Sequence, residues 1–131
     1  MAIQYSGIDI SLLASEDLSS HQYRFVHQAA DGTADLLDSG AEPPIGILQN
    51  DPVEGEVAVI RVVGTSKLVM NDAVANGVLV KAEYVGATDN GKGDAADTEG
   101  DIARGMCIEA TGAEDDVGGV ILCINETSVP A

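Results

Sequence analysis

A small all-β domain is the fold class this sequence predicts: a β-barrel or sandwich built from two related strand-turn-strand halves, entered by an extended N-terminal arm. Three observations lead there. The chain of 131 residues holds 15 glycines and only 3% aromatic residues, with one Phe, three Tyr and no Trp, so its core must be assembled from Val, Ile, Leu, Ala and Met. β-Branched residues punctuated by glycine turns favour strands. No stretch carries the 3.6-residue apolar period of an amphipathic helix, and the best candidate, Asn71 to Gly77, is one turn long with Asn71 or Asp72 as its cap. The order glycine, apolar strand, acidic turn, apolar strand also occurs twice.

Taken in order, residues 1–20 read as an extended arm ending in the polar turn Ser15-Glu16-Asp17-Leu18-Ser19-Ser20, and residues 21–131 as a single β domain. Tyr23-Arg24-Phe25-Val26-His27 is a short strand. Asp31-Gly32 turns it back, with Ala34 to Leu37 running antiparallel. Pro43-Pro44 blocks ladder donation and forces an extended entry into Ile45-Gly46-Ile47-Leu48-Gln49. The turn Asn50 to Glu56 carries Pro52 and Gly55 and returns as Val57 to Val63, so uniformly apolar that cover on both faces is expected.

The second half rhymes with the first over about 12–64 and 68–125. Phe25 is matched by Val80 at an offset of 55 (80−25), and Gly46 by Gly105 at 59 (105−46). The turn 50–56 is matched by 110–116, and the strand 57–62 by 117–124. The extra length falls in the acidic loop 87–101, read as a solvated hairpin loop where insertion is cheap. Two units are too few for a solenoid and should close on each other instead.

Charge restricts the partners. With 22 acidic against 6 basic residues the formal charge is −16, which repels a nucleic-acid backbone and an anionic membrane alike, so neither is expected as a partner. No apolar run reaches the length of a membrane span, and the start lacks the basic and apolar regions of a signal peptide. Cys107 and Cys123 lie in separate apolar strands; buried free thiols are expected, with a cross-strand disulfide as the alternative.

Candidate chemistry is sparse. His21 and His27 are six apart, which fits no zinc clip. A calcium loop starting at Asp89 would place Gly91 and Gly93 where oxygen ligands are required. Lys92, between glycines, could be a carrier lysine presented on a turn, but its flanks are small and acidic. Neither a nucleophile elbow nor a phosphate-binding loop is present, and Glu114-Asp115-Asp116 lie in a turn without the burial that raises a carboxyl pKa. The expectation is a structural or binding protein, with no catalytic residue, metal or cofactor.

Residues 12–81 carry a resemblance. Asp17-Leu18-Ser19, Gln22-Tyr23-Arg24-Phe25-Val26, Pro44-Ile45-Gly46-Ile47-Leu48-Gln49-Asn50, Pro52-Val53-Glu54-Gly55-Glu56 and the Val-rich strand ending Gly64-Thr65-Ser66-Lys67 together resemble the small capsid decoration (cement) proteins of tailed bacteriophages. Residues 105–124 match the looser closing hairpin. The loop 87–101 departs from the pattern, as do Cys107 and Cys123 in place of aliphatics. The resemblance implies a β-rich domain made in the host cytoplasm that binds the major capsid protein on the outer surface of an assembled head and stabilises its lattice, commonly as a homotrimer, and it transfers no catalytic residue. The arm is the expected capsid contact through Ile3, Tyr5, Ile8, Ile10, Leu12 and Leu13, pairing with a capsid strand by β-augmentation. The alternative is a host-surface or glycan-binding module displayed on the virion, for which the four aromatics of the chain are few.

Overall fold

The computed structural model of the chain describes residues 3–39, 42–84, 86 and 88–128, with side chains through Leu122. The described elements are all strands: β1 (Gly7–Leu13), β2 (Phe25–Gln28), β3 (Ala34–Leu36), β4 (Gly46–Leu48), β5 (Val57–Val69), β6 (Leu79–Ala82), β7 (Gly93–Ala95), β8 (Ile102–Glu109) and β9 (Val117–Ser128). They form one strongly curled antiparallel sheet, a half-barrel, in the order β3-β2-β4-β5-β9-β8-β6-β7, with β1 paired to β5 off this path. The segment 71–77, the one candidate for a helical turn, contains bends and turns and no helix.

That strand order reads alike from both ends when β2, β3, β4 and β5 are set against β6, β7, β8 and β9. Backbone bonds follow the same scheme. Ala14 N–H donates to Glu56 O at 2.8 Å and Met70 N–H to Asp116 O at 2.9 Å. Ser15 N–H donates to Ala34 O at 2.9 Å, and Asn71 N–H to Gly93 O at 2.7 Å. The ladders set the correspondence one residue away from the Phe25–Val80 match: Gly46 lies opposite Val26 and Gly105 opposite Val80, so Val26 answers Val80.

β5 joins the halves. Rather than stopping at Val63 it runs on to Val69, pairing with β1 and β4 in its first part and with β9 in its second. Gly64 permits the passage. Its φ of +108° is open to glycine, and a Cβ there would collide with the backbone of Ser6 and Gly7. Burial keeps to even positions on both sides of Gly64 (Ala58, Ile60, Ser66 and Leu68), so one face of β5 looks inward throughout.

Two apolar clusters fill the curl. One gathers Ala14, Leu18, Val26, Ala34, Leu48, Ala58 and Ile60; the other gathers Leu68, Met70, Val74, Val80, Ala82, Cys107 and Val120. Phe25, Leu37 and Ile47 come from the first half yet pack into the second cluster. Neighbours in β2 and β4 therefore point into different clusters, and it is β4, buried at all three positions, that is covered on both faces. The outward positions of β5 are not: Val57 and Val63 are exposed.

Two other expectations are revised. Residues 7–13 are not a detached arm but a strand paired to β5 along its whole length, and the chain just beyond supplies Ala14 and Leu18 to the core. The loop 87–101 is not simply solvated, because Gly93–Ala95 pairs with β6 and Lys92 is buried. Cys107 is a free, buried thiol, whereas the Cys123 side chain lies outside the described residues.

Candidate functional site

The six residues assigned to the capsid contact divide between two faces. Ile10 and Leu12 turn inward and pack against the first cluster. Ile8 and Leu13 are exposed at 61% and 55%, standing opposite Val63 and Val57. A register shift between Ile8 and Asp9 causes the division: the bulge turns Ile8 outward, although alternation alone would group it with Ile10 and Leu12. Ile3 is half-buried.

Tyr5 is half-buried for a specific reason. The chain before β1 is held by Ser6 N–H to Thr65 Oγ1 at 3.0 Å and by Thr65 N–H to Ser6 O at 2.8 Å. From there the Tyr5 ring lies against Gly119 of β9, where a Cβ would collide with it, and its hydroxyl donates to Glu109 of β8. Burial, then the Glu109 carboxylate, push the Tyr5 hydroxyl pKa up to about 12.

Around these residues runs an outward face shared by β1, β5, β8 and β9. Ile8, Leu13, Val57, Val63, Met106, Val117 and Ile121 are all exposed on it. Met106 faces Ile121 across the β8–β9 ladder, and Val69 faces Val117 across β5–β9. Its carboxylates are engaged. Asp9 takes a two-pronged bond from Arg61, Nε to Oδ1 at 2.7 Å and Nη2 to Oδ2 at 3.1 Å, and Arg61 also donates to Thr65 O at 3.0 Å. Glu109 is engaged by Tyr5. In a chain of −16 this is an apolar face whose acids are answered locally, the kind of surface that marks an interaction site. Among the described residues no further strand pairs with β1, so its second edge is open.

The remaining candidates fall elsewhere. Lys92 is not presented to solvent. Its side chain is 4% exposed, with Nζ 2.6 Å from Asp115, 2.8 Å from Asp89 and 3.7 Å from Glu114. Beside it, Arg24 donates to Thr88 O at 2.9 Å and Asn90 O at 3.3 Å, and Phe25 N–H donates to Gly91 O at 2.7 Å. The connection between β6 and β7 is thereby fastened to the first half of the chain. Among the described residues no group of His, Cys, Asp and Glu is arranged to hold a metal ion. His21 contacts Ser20 at 3.1 Å while His27 faces Glu42 and Asp35, so the two histidines serve separate neighbourhoods.

No protein-family model matches the chain, and no curated protein matches it by sequence. Among solved structures it is similar to the head fiber gp8.5 N base of bacteriophage phi29, with a TM-score of 0.62 at 12% identity, over 93% of this chain and 98% of that one. The two share a fold. At that identity the likeness carries the β architecture and not the residues of any site.

Proposed function

We propose that this chain is a non-catalytic structural protein of a tailed-phage head, binding the outer surface of the assembled shell through the outward face of β1 and β5 and stabilising the lattice. The observation that carries the reading is that face. Its apolar side chains can be desolvated with the Asp9 charge already met by Arg61. The rest of the acid-rich surface stays in water. The shared fold with the base of a phage head fiber supports a place on the head, and so does the decoration-protein resemblance of residues 12–81.

The partner in this reading is the major capsid protein, with Ile8 and Leu13 as the contacts retained from the N-terminal segment and the open edge of β1 available to a shell strand. A protein that binds the assembled lattice and not its free subunits stabilises the lattice by mass action. Copies associated as a homotrimer would add avidity over a symmetric surface. Because the segment after β1 enters the core, point substitutions test the contact better than truncation.

The experiment uses purified expanded heads lacking this protein. The wild type should co-sediment with them saturably, and Ile8→Asp combined with Leu13→Asp should weaken binding at least about 100-fold, since two buried charges cost several kcal/mol. Circular dichroism should show the variant folded. Undiminished binding by the folded variant, or no binding by the wild type, overturns the proposal.

A further inference from the structure

Where the sheet ends at β3, four carboxyl groups and one histidine converge from four parts of the chain. Glu16 comes from the turn after β1, His27 from β2, Asp35 from β3, and Asp38 and Glu42 from the segment leaving β3. Glu16 Oε2 and Asp35 Oδ1 approach the same donor, the Leu36 N–H, at 3.5 and 3.0 Å. Ser15 Oγ donates to Asp35 at 3.1 Å, and Ser15 N–H to Ala34 O at 2.9 Å, so the same spot fastens the chain beyond β1. His27 Nε2 stands 2.7 Å from Glu42 Oε2 and 3.8 Å from Asp35 Oδ2.

Glu42 Oε2 is sealed from solvent and has no well-directed hydrogen bond, and His27 Nε2 stands close beside it. A sealed carboxyl oxygen with no hydrogen bond favours the protonated form of the group. Across the cleft bordered by Glu42 stand Tyr84, Arg104 and Lys81, the last held by Asp101 at 3.3 Å.

We propose that this cluster is a pH-sensitive latch, which, while it holds its protons, pins the chain after β1, and with it Asp38 and Glu42, against β3, and which opens as the pH rises through neutrality. The hydrogen bond with Asp35, followed by burial, pushes the Glu16 carboxyl up to about 7. The hydrogen bond with Asp38, followed by burial, pushes Glu42 up to about 7 as well. Asp35 is held low, chiefly because Glu16 supplies the shared proton. The ordinary glutamate value is 4.5, so the folded state binds these protons more tightly than the unfolded chain. The stabilisation contributed by Glu16 and Glu42 is therefore complete below about 4.5 and is lost as the pH rises through about 7. Above that, Glu16 and Asp35 repel each other across one N–H, and Glu42 and Asp38 repel each other beside them.

Amide hydrogen exchange on the full chain tests this, at pH 5.5 and 8.0 with the intrinsic rate corrected. Residues 15–18 and 34–38 should lose protection at least about tenfold at the higher pH, while the β8–β9 ladder does not. Glu16→Gln and Glu42→Gln, each a donor that does not titrate, should retain protection at pH 8.0. Carboxyl carbon resonances of the wild type should titrate near neutrality at Glu16 and Glu42. Equal protection at the two pH values, an undiminished loss in both variants, or carboxyl midpoints near 4.5 would overturn the latch.

Discussion

Gly64→Ala is the most informative single substitution, because Gly64 is where one strand serves both halves. Its φ of +108° lies beyond the narrow left-handed well that alanine tolerates, a strain of about 1–3 kcal/mol. The added Cβ would meet the Ser6 carbonyl oxygen and lie 2.6 Å from Gly7 Cα, so the entry to β1 must shift. The Thr65 N–H to Ser6 O bond of 2.8 Å and the Gly7–Gly64 pairing are then at risk, at about 1 kcal/mol for each hydrogen bond. The total, about 3–5 kcal/mol, is a large part of the 5–15 kcal/mol typical of a domain. At about 3–5 °C per kcal/mol for this chain length, Tm should fall by about 10–20 °C. Gly55→Ala is the internal control. Its φ of +84° is also positive, but nothing lies within 4 Å of the new Cβ, leaving a conformational strain of about 1–2 kcal/mol. Thermal and urea melts followed by circular dichroism compare the two. If Gly64→Ala costs no more than Gly55→Ala, β1 does not close on β5 in the way described.

Two further outcomes are expected. Lys92→Met should lower Tm by removing the ammonium that Asp115 and Asp89 approach at 2.6 and 2.8 Å, and Lys92→Ala should cost about 2 kcal/mol more by leaving the space of the buried stem unfilled; equal melts for the two variants would contradict the burial of that side chain. The Cys107 thiol, buried and with its pKa raised by that burial, should resist a thiol reagent in the native protein and react on unfolding, as read by peptide mapping. Rapid native labelling at Cys107 would refute its place in the core.

Much of the fold was legible because local chemistry and tertiary need agree there. Asp31-Gly32 with Gly32 at φ +88°, Pro43-Pro44 before β4, and the turn 50–56 with Gly55 at φ +84° each have one natural backbone reading. The misreadings have physical causes. Gly64 resembles a strand terminator, and only the close passage of Ser6 and Gly7 shows why a glycine is needed inside a continuing strand. Gly93-Asp94-Ala95 has no β propensity of its own and is a strand because β6 offers an unpaired edge. Lys92, flanked by glycines and acids, reads as a solvent-facing tip, yet the carboxylates that allow its burial come from Asp115 in the other hairpin as well as from nearby Asp89. No local window could reveal that pairing.

The candidate site shows the limit most clearly. Ile8, Ile10 and Leu12 alternate, a period-2 signal that marks a half-buried strand and argues against a free arm. That signal predicts one face for all three, and two of them obey it. A single-residue bulge moves Ile8 to the other face, where it joins Leu13, Val57 and Val63. Bulges arise from how two strands pair and leave little trace in either strand alone. The same shift interrupts the β1–β5 ladder and so bends β1, whose other edge is open, and a bent edge is a poorer template for indiscriminate strand addition. Under the function proposed above, both effects serve docking: an apolar row displayed outward, and an edge too irregular to pair with every exposed strand it meets. Restoring alternation would therefore do more than move one side chain. It would draw Ile8 inward beside Ile10, remove an apolar contact from the outward face, and leave a straighter edge more prone to unselective pairing.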